Sequence, residues 1–196
     1  MAIKNKSQAQ KIAGYSTDER SPNDFYETPA IAVEKLLEVE QFGNNILEPC
    51  CGAGAISKIL LSKGYNVISR DLYDYGFGET GINFLFDETI QPLLDVDAII
   101  TNPPYNLSLE FMKQALRSTK KNRGKVAFLL RLAWLEGQER KQFFEANPIS
   151  KVLVFSKRLP RMHKPGYTGK ESTSMMAMAW FIFDWKYSGS PIIQWI

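Results

Sequence analysis

The chain has a single histidine, His163, and only two cysteines, Cys50 and Cys51, among its 196 residues. One histidine rules out a histidine-rich metal centre and argues against a Ser-His-Asp triad. Adjacent thiols rarely bridge, and without a Cys/His cluster they do not form a zinc site, so no metal is expected. No apolar run approaches the roughly 20 residues needed to cross a bilayer, and the N-terminus lacks the apolar core of a signal peptide. No membrane association is therefore expected, and the cytoplasm is the expected compartment. An excess of one charge is missing too: the formal net charge is +3, too small to argue for nucleic-acid binding by itself. A hydrophobic content of 44% and a charged content of 23% are ordinary for a globular protein, and the length predicts one domain with a substantial core.

How the charge is distributed is more informative. Lys4, Lys6 and Lys11 stud a polar leader, and residues 1–23 are expected to form a flexible basic arm ahead of one domain over 24–196. A second basic concentration, Lys157, Arg158, Arg161, Lys164 and Lys170, falls in a stretch containing Pro and Gly. One face of a nearly neutral molecule is therefore expected to be positive.

Strand and helix patterns alternate. Thr28-Pro29 is expected to open an amphipathic helix through Ile31, Val33, Leu36 and Leu37, with Thr28 as N-cap. Asn45–Glu48 reads as a strand running into Pro49-Cys50-Cys51-Gly52-Ala53-Gly54, followed by a helix that ends at Gly64. Tyr65–Ile68, Ile82–Leu85, Ala98–Thr101, Lys125–Leu130, Val152–Phe155 and Ser174–Asp184 are the further strand candidates. Helices are expected at Ser108 to about Lys120 and at Gln138–Ala146. This alternation predicts an α/β sheet whose last two strands form an antiparallel pair.

Two places carry chemistry. A strand, a glycine turn and a helix in succession form a nucleotide-type pocket at the carboxyl edge of a parallel sheet. The dinucleotide fingerprint is not met, because Ser57 stands where its third glycine or alanine belongs. Glu48 ends the strand, where a carboxylate would repel a pyrophosphate and attract an ammonium group. Gly52 and Gly54 permit close approach to a ligand, although a tight turn without ligand explains them as well. Asp71 fits the acid that holds ribose hydroxyls in such folds, about 20 residues further on. Asn83 and Phe84 offer an amide and a ring to an adenine, yet a core Phe beside a solvated Asn explains that pair equally. An adenosine joined to an amino-acid ammonium, with no phosphate, is S-adenosylmethionine (SAM).

The second place is Asn102-Pro103-Pro104-Tyr105, directly after the apolar run Ala98-Ile99-Ile100. The prolines fix φ, lack N–H groups and keep Asn102 out of the helical region. A stiff platform with amide, carbonyls and an aromatic face suits a planar –NH₂ group, although a plain proline turn after a strand explains these four residues as well. Arg131 and Trp134 are expected at the rim of the same cleft.

In this order and spacing, these motifs resemble those of SAM-dependent amino-methyltransferases, and most nearly the compact DNA adenine-N6 methyltransferases of phages and prophages. Asp24-Phe25-Tyr26-Glu27-Thr28-Pro29 is similar to that family's D-x-Y-x-T-P element, Glu48–Gly54 to its cofactor loop, and Asn102–Tyr105 matches its catalytic motif; the resemblance covers roughly residues 24 to 185. It implies a Rossmann-like fold, a mostly parallel seven-stranded sheet with an antiparallel C-terminal hairpin and helices on both faces. It places Tyr26, Thr28, Pro29, Glu48, Cys50, Gly52, Gly54, Asp71, Asn83 and Phe84 around SAM. It makes the Asn102 side-chain oxygen and the Pro103 carbonyl acceptors for the adenine amine, with Tyr105 stacking on the base. Arg158, Arg161, Lys164 and Lys170 would meet DNA phosphates, with Tyr167 available to stack, although a solvated hairpin loop explains the same residues; Arg131 would contact phosphate or equally pair with an acid. The chain departs from members with a separate target-recognition region, for which it has little room. The same motif occurs in enzymes that methylate a glutamine amide or RNA, and a non-catalytic binding module with this fold is a third reading. The glutamine enzymes carry a helical domain before the cofactor fold, for which too few residues precede Glu48.

Overall fold

The computed structural model describes residues 23, 25–86, 95–163, 168 and 172–196. The expected basic arm (save Asn23), Asp24, and the loop residues Lys164, Tyr167 and Lys170 lie outside these.

Helix α1 (Ala30–Val39) leads to strand β1 (Asn45–Glu48), α2 (Ala55–Ser62) and β2 (Asn66–Ser69). Strand β3 (Ala98–Thr101), a 3₁₀ turn at Tyr105–Leu107, α3 (Ser108–Thr119) and β4 (Lys125–Arg131) follow. A second 3₁₀ turn at Leu132–Leu135, α4 (Gln138–Ala146), β5 (Lys151–Val154), β6 (Met178–Asp184) and β7 (Ile192–Trp195) complete the order. The seven strands form one sheet in the order β2-β1-β3-β4-β6-β5-β7. Only β6 runs against its neighbours, pairing antiparallel with β4 and β5, while the other pairs are parallel. This is a Rossmann-like sheet, mostly parallel, with an antiparallel β5–β6 pair.

Burial explains why the continuous apolar run in β4 is a central strand. Val126, Phe128 and Leu130 point into a core closed by α3, Trp134 and Phe143, whereas Ala127 and Leu129 point into a second core closed by α1 and α2. A strand covered on both faces needs apolar residues at every position. The α1 layer is tied to the sheet by Trp180, whose indole Nε1 donates to the Ala32 carbonyl at 2.8 Å.

Several expectations need correction. Ile82–Leu85 is not a strand; Ile82 N donates to the Asp71 carbonyl and Phe84–Phe86 is a turn. The seventh strand is instead β7, an edge strand with exposed Ile193 and Trp195 that pairs with β5. Strand β6 begins at Met178, not Ser174. Helix α1 begins at Ala30 with Pro29 in the N-cap position and no side-chain cap, because the Thr28 hydroxyl faces Asn102 instead. Trp134 lies in the core, 6% exposed, with its Nε1 donating to Ser108 Oγ, and not at the cleft's rim.

Candidate active site

The carboxyl ends of β1 to β4 rise on one edge of the sheet. Leaving β1, the chain goes to β2 on one side, while β3 flanks β1 on the other, so a crevice opens between β1 and β3, where strand order reverses. Glu48 closes β1, Asp71 follows β2, Asn102 follows β3 and Arg131 closes β4. A cavity of about 420 Å³ occupies this crevice, within the range of small-molecule sites.

Its wall collects ten of the thirteen residues expected for catalysis and SAM: Tyr26, Thr28, Glu48, Cys50, Asp71, Asn83, Phe84, Asn102, Pro103 and Tyr105. Pro29, Gly52 and Gly54 stand behind it. Gly52 and Gly54 have φ of +52° and +84°, in the left-handed region that glycine adopts without penalty. The groups packed on them are protein rings. A Cβ on Gly52 would strike the Phe25 ring, and one on Gly54 would strike Phe77 at 2.6 Å. Phe25 also lies 4.0 Å from the Tyr75 ring.

Asp71, 8% exposed, organises the loop. Its Oδ2 accepts from Gly52 N and its Oδ1 from Tyr73 N, both at 2.9 Å. Each carboxylate oxygen keeps a lone pair for a further donor. Burial pushes the Asp71 carboxyl up, while its bonds to the Tyr73 and Gly52 amides pull the other way.

Glu48, 1% exposed, accepts a short hydrogen bond from Ser57 Oγ, which lies 2.6 Å from Ser69 Oγ. The carboxyl expected to face an ammonium freely is thus already engaged, and Ser57 is in effect its partner. Burial raises the Glu48 pKa to about 8, with Asp71 adding repulsion against the Ser57 hydrogen bonds. The Cys50 thiol is pushed well up by burial and then by Asp71 and Glu48, so it is no thiolate nucleophile.

Across the crevice, Asn102 Nδ2 donates to Thr28 Oγ1 at 3.1 Å and to Met162 Sδ at 3.7 Å. Its Oδ1 is buried with no hydrogen-bond partner among the described residues. Tyr105 OH donates to the same Met162 sulfur at 3.6 Å. Neither Thr28's partner nor Met162 was legible, since these contacts span 74 and 60 residues of sequence. Asn83 Oδ1 is committed to Leu85 N at 3.1 Å, and Phe84 is buried against Phe111. Phe84 thus shapes the wall, while Asn83 Oδ1 keeps a second lone pair.

At its described residues, 157–163 and 172–174, the basic stretch pairs with itself as a ribbon between β5 and β6. Pro160 bridges Thr173, Arg161 N donates to the Ser172 carbonyl, and Glu27 N donates to the His163 carbonyl at 3.3 Å. Arg158 and Arg161 are exposed on it. Arg131 pairs with no acid among the described residues; its guanidinium lies over Tyr105.

No family model matches the chain, and no curated protein does. Solved structures do match in fold. One is a modification subunit of a putative type I restriction enzyme from Vibrio vulnificus YJ016: TM-score 0.59, 14% identity, covering 97% of this chain and 50% of that one. A putative RNA methyltransferase from Pyrococcus horikoshii has TM-score 0.56 and 15% identity, covering 92% and 98%. The DrdV–DNA complex has TM-score 0.59 and 12% identity, covering 100% and 31%. The chain therefore shares the Rossmann-like fold of these structures, and it spans about half the length of the first of them.

Proposed function

We propose that this chain transfers a methyl group from SAM to the exocyclic N6 of adenine in DNA. The observation that carries this reading is the pairing of an unpartnered acceptor, Asn102 Oδ1, with an acidic cavity. Among the described residues, the wall holds Glu27, Glu48 and Asp71 but no lysine or arginine. Such a wall offers no cation to a phosphate, and its carboxyls ionise in favour of a cationic ligand with hydroxyls, which is the chemistry of SAM. Asp71 would hold the ribose hydroxyls, Glu48 the ammonium end, and Ile82 and Phe84 would flank the base. Bound SAM supplies an electrophilic methyl group on a positively charged sulfur.

The remaining work belongs to this chain's residues. An exocyclic amine shares its lone pair with the ring and is a poor nucleophile. Asn102 Oδ1 and the Pro103 carbonyl, each accepting one amine hydrogen, draw that lone pair back onto nitrogen. Tyr105 holds the base by stacking. Placement and preorganised acceptors supply the acceleration. In a duplex the adenine must first leave the stack; Arg158 and Arg161 on the neighbouring ribbon would grip the phosphates.

RNA is the second reading, favoured by the likeness to a putative RNA methyltransferase that is matched over nearly its whole length. Tritiated SAM offered to unmethylated DNA, bulk RNA and a glutamine-bearing protein separates the readings. Label in DNA adenine is expected. SAM binding without label transfer to any of the three would make the chain a binding module.

A further inference from the structure

The Asn102 amide sits in a frame built by two distant segments, with Thr28 Oγ1 and Met162 Sδ both facing Nδ2. The thioether decides which way round the amide lies. Its sulfur carries no hydrogen and can only accept, so a nitrogen must face it. Thr28 alone would not decide this, because a hydroxyl can donate or accept. With both hydrogens of Nδ2 held, the free end of the amide is Oδ1, buried and without a partner.

Thr28 is 8% exposed and directly precedes Pro29, the N-cap of α1. Met162 follows the Pro160–Thr173 bridge of the basic ribbon and also accepts from Tyr105 OH. A buried acceptor left without a donor is costly, and an incoming N–H recovers that cost.

We propose that Thr28 and Met162 are positioning residues that lock the Asn102 amide in one of its two flips, so that the site offers an acceptor and never a donor. The proposal rests on Asn102 being the residue that receives the substrate, and it adds what sets its polarity. It restricts the accepted group to one with an N–H to give, an amine and not a carbonyl or bare ring nitrogen. It also turns Thr28 from an expected SAM contact into a holder of Asn102.

The test begins with the ligand-free chain. Hydrogen exchange of the ¹⁵N-labelled side-chain amide of Asn102, assigned by its loss in Asn102→Asp, is compared with that of exposed Asn106. Asn102 is expected to exchange more slowly. Thr28→Val should remove about tenfold of the protection, the effect of deleting one hydrogen bond, and Thr28→Ser should restore it. Met162→Leu, which keeps the shape but not the acceptor, should shift the same signal. An Asn102 amide that exchanges like Asn106, or that ignores Thr28→Val, overturns the proposal. With an acceptor in hand, Thr28→Val should lower kcat about tenfold while SAM affinity by calorimetry stays within about twofold. A loss of SAM affinity equal to the loss in rate would return Thr28 to the cofactor and overturn the assignment. Should no nucleic acid accept label from the unaltered chain, the proposed function fails, yet the exchange measurement still decides this one.

Discussion

The guanidinium of Arg131 lies 5.1 Å above the ring of Tyr105. One face of the aromatic ring in the Asn-Pro-Pro-Tyr motif is therefore covered by the chain itself, and a base must use the other. Arg131, expected from the sequence to touch phosphate, thus also lies over this ring. Arg131→Ala removes a partly exposed cation–π contact of about 0.5–1 kcal/mol. The acceptor KM should rise about two- to fivefold with SAM affinity unchanged. Titration of both ligands checks this, and Arg131→Lys should recover only part, because an ammonium cannot lie flat on a ring.

Glu48 gives the ligand-free chain a pH signature. Its pKa is near the ordinary 4.5 when unfolded and about 8 when folded, burial being the main cause. The folded state thus binds the extra proton between those values, so its stability is greatest below the unfolded pKa and falls as pH rises through about 8. The slope is at most about 1.4 kcal/mol per pH unit. Thermal melts from pH 5 to 9 should show this decline, and Glu48→Gln, which can still accept from Ser57, should flatten it. A cationic ligand favours the carboxylate, so SAM affinity should rise with pH toward 8 and then level off, and calorimetry should detect proton release at neutral pH.

Gly52→Ala tests the cofactor loop. The new methyl group would enter the Phe25 ring, and the residue would keep φ at +52°, a conformation that costs a non-glycine residue about 1–2 kcal/mol. A lower Tm and loss of SAM binding are expected. An alanine variant that binds SAM normally would mean that the loop adapts and that Phe25 is not fixed on it.

Arg158 and Arg161 stand exposed on the ribbon. If they grip phosphates, replacing both with Gln should weaken DNA binding and reduce the slope of log affinity against log salt by about 2, near one unit for each phosphate no longer neutralised. Fluorescence anisotropy across a salt series checks this. An unchanged slope would leave the ribbon as scaffold only.

Buried strands were legible in the sequence and the exposed edge strand was not. Strands β1 and β3 fall on the residues where their apolar runs place them, because both faces of each are covered. Strand β7 was missed, since Ile192–Trp195 is largely exposed at the sheet edge and its apolar residues mark pairing with β5, not a core. Ile82–Leu85 carries a strand's residue types, but its backbone bonds to the Asp71 carbonyl and its side chains wall the cavity. At the site, the motifs gave Glu48, Asp71 and Asn102, which the fold does bring to one cavity. They did not give Ser57 as the partner of Glu48, nor Met162, because a thioether in a loop has no spacing relation to the residues it holds.

The most direct measurement is nucleoside mass spectrometry on unmethylated DNA incubated with SAM, using the unaltered chain and Asn102→Ala in parallel. N6-methyladenine from the unaltered chain is expected. The variant should give none while still binding SAM by calorimetry. Methyl groups on another base, or equal N6-methyladenine from the variant, would contradict the assignment of Asn102 as the acceptor that activates the adenine amine.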